Sequence, residues 1–126
     1  MNYKITVTLL SGVALLATTG CSSMSSKPTK TVEQVMEEGF EGKESLNARV
    51  TKGQGTPAEI AHLAELVAQL ALNKPPQGDL ASWTEKTVAL NKAAADLVAG
   101  KPGAMDAYKA AANCKACHSV HKPEKH

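Results

Sequence analysis

The chain is short of aromatic residues, of arginine and of long apolar runs, and each shortage excludes something. One Trp, two Tyr and one Phe stand among 126 residues. Tyr3 lies in an N-terminal leader-like stretch, so Phe40, Trp83 and Tyr108 must fill a core otherwise made of Leu, Val and much Ala. Such a core buries little area per residue and leaves room for a large apolar ligand to complete it. The longest apolar run, Ile5 to Ala17, falls short of the roughly 20 residues that a spanning helix needs. A permanent transmembrane anchor is therefore not expected. Charge of one sign is also scarce: 14 basic side chains face 12 acidic ones, which argues against nucleic acid as the main partner. No segment sustains an alternation of apolar and polar residues, so strands are not expected.

The N-terminus has the parts of an export signal: Lys4, an apolar stretch, then the small residues Thr18-Thr19-Gly20 before Cys21. A cysteine at that point resembles the lipobox of bacterial lipoproteins. The resemblance implies that residues 1–20 are removed and that Cys21 is acylated, and Ser22 after it leans toward the outer membrane. Residues 21–30, with the small, polar stretch SSMSSKPTK, read as a flexible tether. Residues 31–126 form one domain, placed on the periplasmic side of the membrane.

Helix ends are clearly marked in that domain. Thr31 with Gln34, and Thr56 with Pro57 and Glu59, are capping boxes, and Asp79 is a further N-cap. Helix A is predicted from Val32 to Gly42, resuming toward Val50, with Val32, Val35, Met36 and Phe40 inward. Helix B follows Thr56 with Ile60, Leu63, Val67 and Leu70 on its stripe, and stops at Asn73-Lys-Pro-Pro76. Helix C carries Leu80, Trp83, Leu90, Ala94 and Leu97 and ends at Gly100 and Pro102. Helix D runs unbroken from Ala104 past His118. Four antiparallel helices with short links predict an all-α, antiparallel four-helix bundle.

The chemistry concentrates in residues 113–122, NCKACHSVHK. Cys114 and Cys117 lie three apart and Cys114 and His118 four apart, so on a helix all three share a face. In an exported chain, Cys-x-x-Cys-His fits the attachment motif of c-type haem, two thioethers to the porphyrin with the imidazole on iron. Three rivals share the residues. Zinc held by Cys114, Cys117, His118 and His121 would require one short helix to wrap a tetrahedral ion. A redox dithiol usually opens a helix, where the dipole lowers the thiol pKa, whereas this motif is expected near a helix C-terminus. A bare disulfide leaves His118 without a role.

The stretch SWTEKTVALNKAAADLVAGKPGAMDAYKAAANCKACHSVHK resembles the class II c-type cytochromes, cytochrome c-prime and its low-spin, methionine-ligated relatives. The resemblance rests on the motif at the end of the last helix, an aromatic early in the third helix at Trp83, and alanine-rich third and fourth helices. It implies one covalent haem c per chain, with Cys114 and Cys117 as attachments and His118 as proximal iron ligand. The family usually has an arginine on the first helix; here the only arginine is Arg49.

The sixth iron position separates two functions. Met36, on the inner face of helix A, is the candidate distal ligand; Met/His ligation gives a low-spin haem suited to single-electron transfer. If Met36 only packs, Phe40 caps an open iron that binds NO or CO. His62 falls on the polar side of helix B, His121 is too near His118 to cross the haem plane, and His126 stands at a free end. An electron carrier is the favoured expectation and a gas-binding haem protein the alternative. No acid, base and nucleophile cluster points to an enzyme. Lys109, Lys115, Lys122 and Lys125 form a basic collar near the motif, suited to an acidic redox partner. A homodimer is compatible with this reading.

Overall fold

The computed structural model describes residues 27–124. The leader 1–20, the lipidation candidate Cys21, most of the tether, Lys125 and His126 lie outside the described residues. Helices are α1 (Val32–Gly39), α2 (Leu46–Thr51), α3 (Pro57–Leu72), α4 (Leu80–Val98), α5 (Ala104–Ala111) and α6 (Cys114–His121). The chain is all-α, with no strand among the described residues, and no helix there is long and apolar enough to cross a membrane.

The predicted caps are in place. Thr31 accepts from the Gln34 amide and Thr56 from the Glu59 amide, each reciprocated by the Gln or Glu side chain. Asp79 accepts from the Ser82 amide at 2.7 Å. Two residues at the C-terminal end of the tether region are less free than the sequence suggests. Gln69 Oε1 accepts from the Thr29 amide at 2.7 Å, and Asn73 Nδ2 donates to the Lys30 carbonyl at 2.9 Å. Residues 29 and 30 are therefore docked on the C-terminal turn of α3.

Helix A stops and resumes as predicted, three residues early, whereas helix D is broken. Helix A ends at Gly39, which is buried so closely that a Cβ there would meet Leu66 Cδ1 at 3.0 Å. The Phe40 and Glu41 amides both donate to the Met36 carbonyl, Gly42 turns the chain at φ +93°, and Ser45 caps α2. Helix D breaks at Ala112 and Asn113. Asn113 offers the backbone an alternative to helix by accepting from the Ala116 amide at 3.0 Å, and so starts α6 anew.

The buried side chains form two joined clusters. Val50, Leu63, Val67, Ala93, Ala94 and Tyr108 make one; Val35, Leu66, Leu70 and Trp83 make the other. Phe40, Leu46 and Leu90 pack against both. Because Leu70 meets Trp83 while Leu63 and Val67 meet Ala93 and Ala94, α3 and α4 are antiparallel. Each fully buried Leu or Val contributes about 1.5–3 kcal/mol. Tyr108, fully buried, donates from its hydroxyl to Asn47 Oδ1 at 2.7 Å and ties α5 to α2. One stripe assignment fails: Leu80, the first residue of α4, is 60% exposed.

Candidate functional site

The motif occupies α6, an eight-residue helix resting on α4. Cys114 is its first residue, and this corrects the expectation that the cysteines stand near a helix C-terminus. The objection to a redox dithiol on grounds of position is accordingly removed. Both thiols are free: Cys114 is exposed and donates weakly to the Ala112 carbonyl, while Cys117 is half-buried. Burial pushes the Cys117 thiol above its ordinary range; the Lys86 ammonium works in the opposite direction, and Cys114 adds to the rise. A thiol shifted upward is a poor thiolate nucleophile at neutral pH, which weighs against dithiol redox chemistry.

His118 is exposed on the same face as the two thiols. Three residues on, His121 behaves quite differently. It is 2% exposed, its Nδ1 lies 2.8 Å from the Gln77 carbonyl, and its Nε2 lies 3.2 Å from Ser82 Oγ. A carbonyl can only accept, so Nδ1 carries the proton and Nε2 accepts from the Ser82 hydroxyl in the neutral ring. Ser82 Oγ in turn accepts from Lys86 Nζ at 2.9 Å. Hydrogen bonds therefore run in one direction, from Lys86 through Ser82 and His121 to Gln77. The His121 ring also meets Trp83 edge-on, centroids 5.3 Å apart at 78°. Trp83 Nε1 donates to the Asn73 carbonyl at 2.8 Å, closing the α3–α4 loop over the same spot.

This commitment of His121 bears on the zinc arrangement. Both its nitrogens are engaged with α4 and the loop before it, while Cys114 and His118 face outward, so the four residues do not converge. Among the described residues no group of three His, Cys, Asp or Glu side chains is arranged to hold a metal ion. Two cysteines and one imidazole on a helix do not make a preformed ion site here, but they do suit covalent attachment, in which the sulfurs supply the holding bonds.

Cys117 is where the pieces meet. On one side it packs, with Met36 and Phe40, against the cluster of Val35, Leu66, Leu70 and Trp83. On another it lines an open cavity of about 290 Å³ between α4, α5 and α6, whose wall includes Lys86, Ala89, Ala111 and Ala116. Met36 and Phe40 thus reach the apolar cluster that the motif touches, as the inner face of helix A predicts. His62, by contrast, is occupied with Glu38, its Nε2 2.8 Å from Oε1, with Glu65 at 3.7 Å from Nδ1. Glu38, bonded also to Lys30, is held below the usual carboxylate range by these cations.

Sequence reasoning missed His121 as a buried clamp and Lys86 as a wall residue. A helical wheel carries both signals. His121 lies four residues after Cys117, and Lys86 lies three after Trp83 and four before Leu90, on the flank of the buried stripe. Comparison with known proteins returns no matching family model, no matching curated protein and no matching solved structure.

Proposed function

We propose that this chain is an exported monohaem c-type cytochrome of the class II kind that carries single electrons in the cell envelope. In this reading α1 with α2, α3, α4, and α5 with α6 are the four legs of a four-helix bundle. The observation that carries it is the set of Cys114, Cys117 and His118 within one turn and a half of α6, both thiols free. Attached there, the haem would supply reversible one-electron chemistry at iron. Cys114 and Cys117 would bond to its vinyl carbons, and His118 would be the proximal ligand.

The cavity beside Cys117, lined by four alanines together with Glu85, Lys86 and Asn113, leaves open space next to the attaching sulfur. Met36, in the apolar cluster that Cys117 touches, is the distal ligand we favour. The chain is tethered to the outer membrane through Cys21 on the periplasmic side. Lys109, Lys115 and Lys122 are all exposed, and no ion pair among the described residues engages them. They suit an acidic redox partner, felt chiefly in the association rate and strongly dependent on salt.

The alternative is a five-coordinate haem protein binding NO or CO, favoured by Phe40, which packs half-buried against both clusters one turn after Met36. Absorption spectra of the oxidised and reduced protein decide between them. Sharp low-spin reduced bands that Met36→Ala converts to high-spin support the carrier. A wild-type spectrum already high-spin and shifting with CO supports the gas binder. A spectrum without a Soret band rules out both and returns the two thiols to dithiol chemistry.

A further inference from the structure

We propose that the end of the bundle formed by the α3–α4 loop lies on an anionic lipid surface, that of the membrane holding the chain, an inference that rests on the acylation of Cys21 read above. The path of the polypeptide leads there. The Thr29 amide donates to Gln69 Oε1, and Asn73 Nδ2 donates to the Lys30 carbonyl. Trp83 Nε1 in turn donates to the Asn73 carbonyl. The incoming chain is thereby fixed against the last turn of α3 and the first turn of α4. From Cys21 to Thr29 an extended chain reaches at most about 29 Å, and a flexible one averages about 16 Å. The 19 residues of α4 run about 28 Å away from this end. Of the two ends of the bundle, this is the one nearest an acylated Cys21.

What this end displays suits lipid. Leu72, 40% exposed, and Leu80, 60% exposed, flank the loop, and Pro76 is exposed between them. Lys27 and Lys74 are exposed and form no ion pair among the described residues. Of the other charges there, Lys30 is paired with Glu38, and the Asp79 carboxylate accepts from the Ser82 amide. Lys122 and Glu124, beyond α6, offset each other. Apolar side chains flanked by unpaired lysines bind an interface by entering the headgroup layer while the ammonium groups meet anionic phosphates. The same contact covers two leucines that the fold leaves exposed. His121 ties α6 to this loop through the Gln77 carbonyl, so the motif helix is held near the surface.

The test is hydrogen exchange of the full acylated protein on phosphatidylcholine vesicles containing phosphatidylglycerol. The amides of Gln77, Gly78 and Asp79 make no backbone hydrogen bond among the described residues, so they exchange freely unless covered. On vesicles they should exchange more slowly than in the mature chain carrying Cys21→Ser, measured without vesicles. Gly103, at the far end of α4, should exchange alike in both. Leu72→Ser with Leu80→Ser should abolish the slowing, and Lys74→Gln should cut it by up to about fivefold. Val98→Ser, a similarly exposed change at the far end, should leave it intact. Equal loop exchange on vesicles and in solution overturns the proposal, as does equal slowing at Gly103. Should the double leucine variant fail to fold, Lys74→Gln decides: a faster loop upholds the contact and unchanged exchange refutes it. A wild-type protein that does not float with vesicles and carries an unmodified Cys21 overturns the anchor reading and this one together. A floating protein whose loop exchanges freely overturns this one alone.

Discussion

His121→Ala removes the clamp that holds α6 on α4, and the size of the effect follows from what the ring touches. Two hydrogen bonds are lost, to the Gln77 carbonyl and to Ser82 Oγ, each contributing about 0.5–1.5 kcal/mol. The edge-on contact with Trp83 goes too, worth about 0.5–1.5 kcal/mol. Some of this is recovered as water reaches the exposed carbonyl, so the net cost is roughly 1–4 kcal/mol. An eight-residue helix cannot hold itself in water, and α6 packs mainly on α4. The loss is therefore local: α6 undocks while α3 and α4 stay folded. Native-state hydrogen exchange on the haem-free protein reads this directly. The α6 amides should lose about 5- to 700-fold of their protection, and those in the middle of α3 much less. Protection in α6 within about threefold of wild type, or an equal loss in both helices, would refute the clamp.

The loop over the clamp gives a second prediction. Gly78 has φ +81°, and a Cβ there would meet His121 Nδ1 and the Val120 carbonyl, each at 2.9 Å. Gly78→Ala should cost about 1–3 kcal/mol in chemical denaturation, and an effect under about 0.5 kcal/mol would show that the loop can yield. Tyr108→Phe leaves Asn47 Oδ1 without its donor and should cost about 1 kcal/mol. Burial, reinforced by Cys114, pushes the Tyr108 hydroxyl well above its ordinary 10.0. Its contribution is thus complete below pH 10.0 and declines only as pH rises past that value, so Tyr108→Phe should flatten the alkaline limb of a stability profile. At the acid end, Lys101 and Lys92 hold the Asp96 carboxyl below its ordinary 3.8. The contribution of that carboxylate is present above pH 3.8 and lost as pH falls through the lower folded value. Asp96→Asn should remove a small acid-side loss of stability that molar salt also weakens in wild type; identical acid limbs would contradict it.

The helix starts were legible because their chemistry is local. Thr31, Thr56 and Asp79 each need only their own first turn to act as caps, and all three do so. The interruption of helix A was legible at Gly42 and falls three residues earlier, at Gly39, before the chain resumes as α2; the break at Ala112 and Asn113 was not, because it depends on distant partners. Asn113 interrupts an alanine-rich stretch that favours helix, in a place where Tyr108 is tied to Asn47 and His121 to Gln77, so the two halves are held by different anchors. The inward face carrying Met36 and Phe40 followed from helical spacing, and both pack where that spacing put them. His121 was read for its nearness to His118 and as a ligand of a rival zinc site; nothing local indicated that its ring would donate to a loop forty-odd residues earlier.

Mass spectrometry of the denatured, processed protein tests the central claim most directly. The account predicts that a peptide containing Cys114, Cys117 and His118 retains the mass of one haem, with both sulfurs resistant to alkylation. Two alkylatable thiols on a colourless peptide from the exported protein would contradict it.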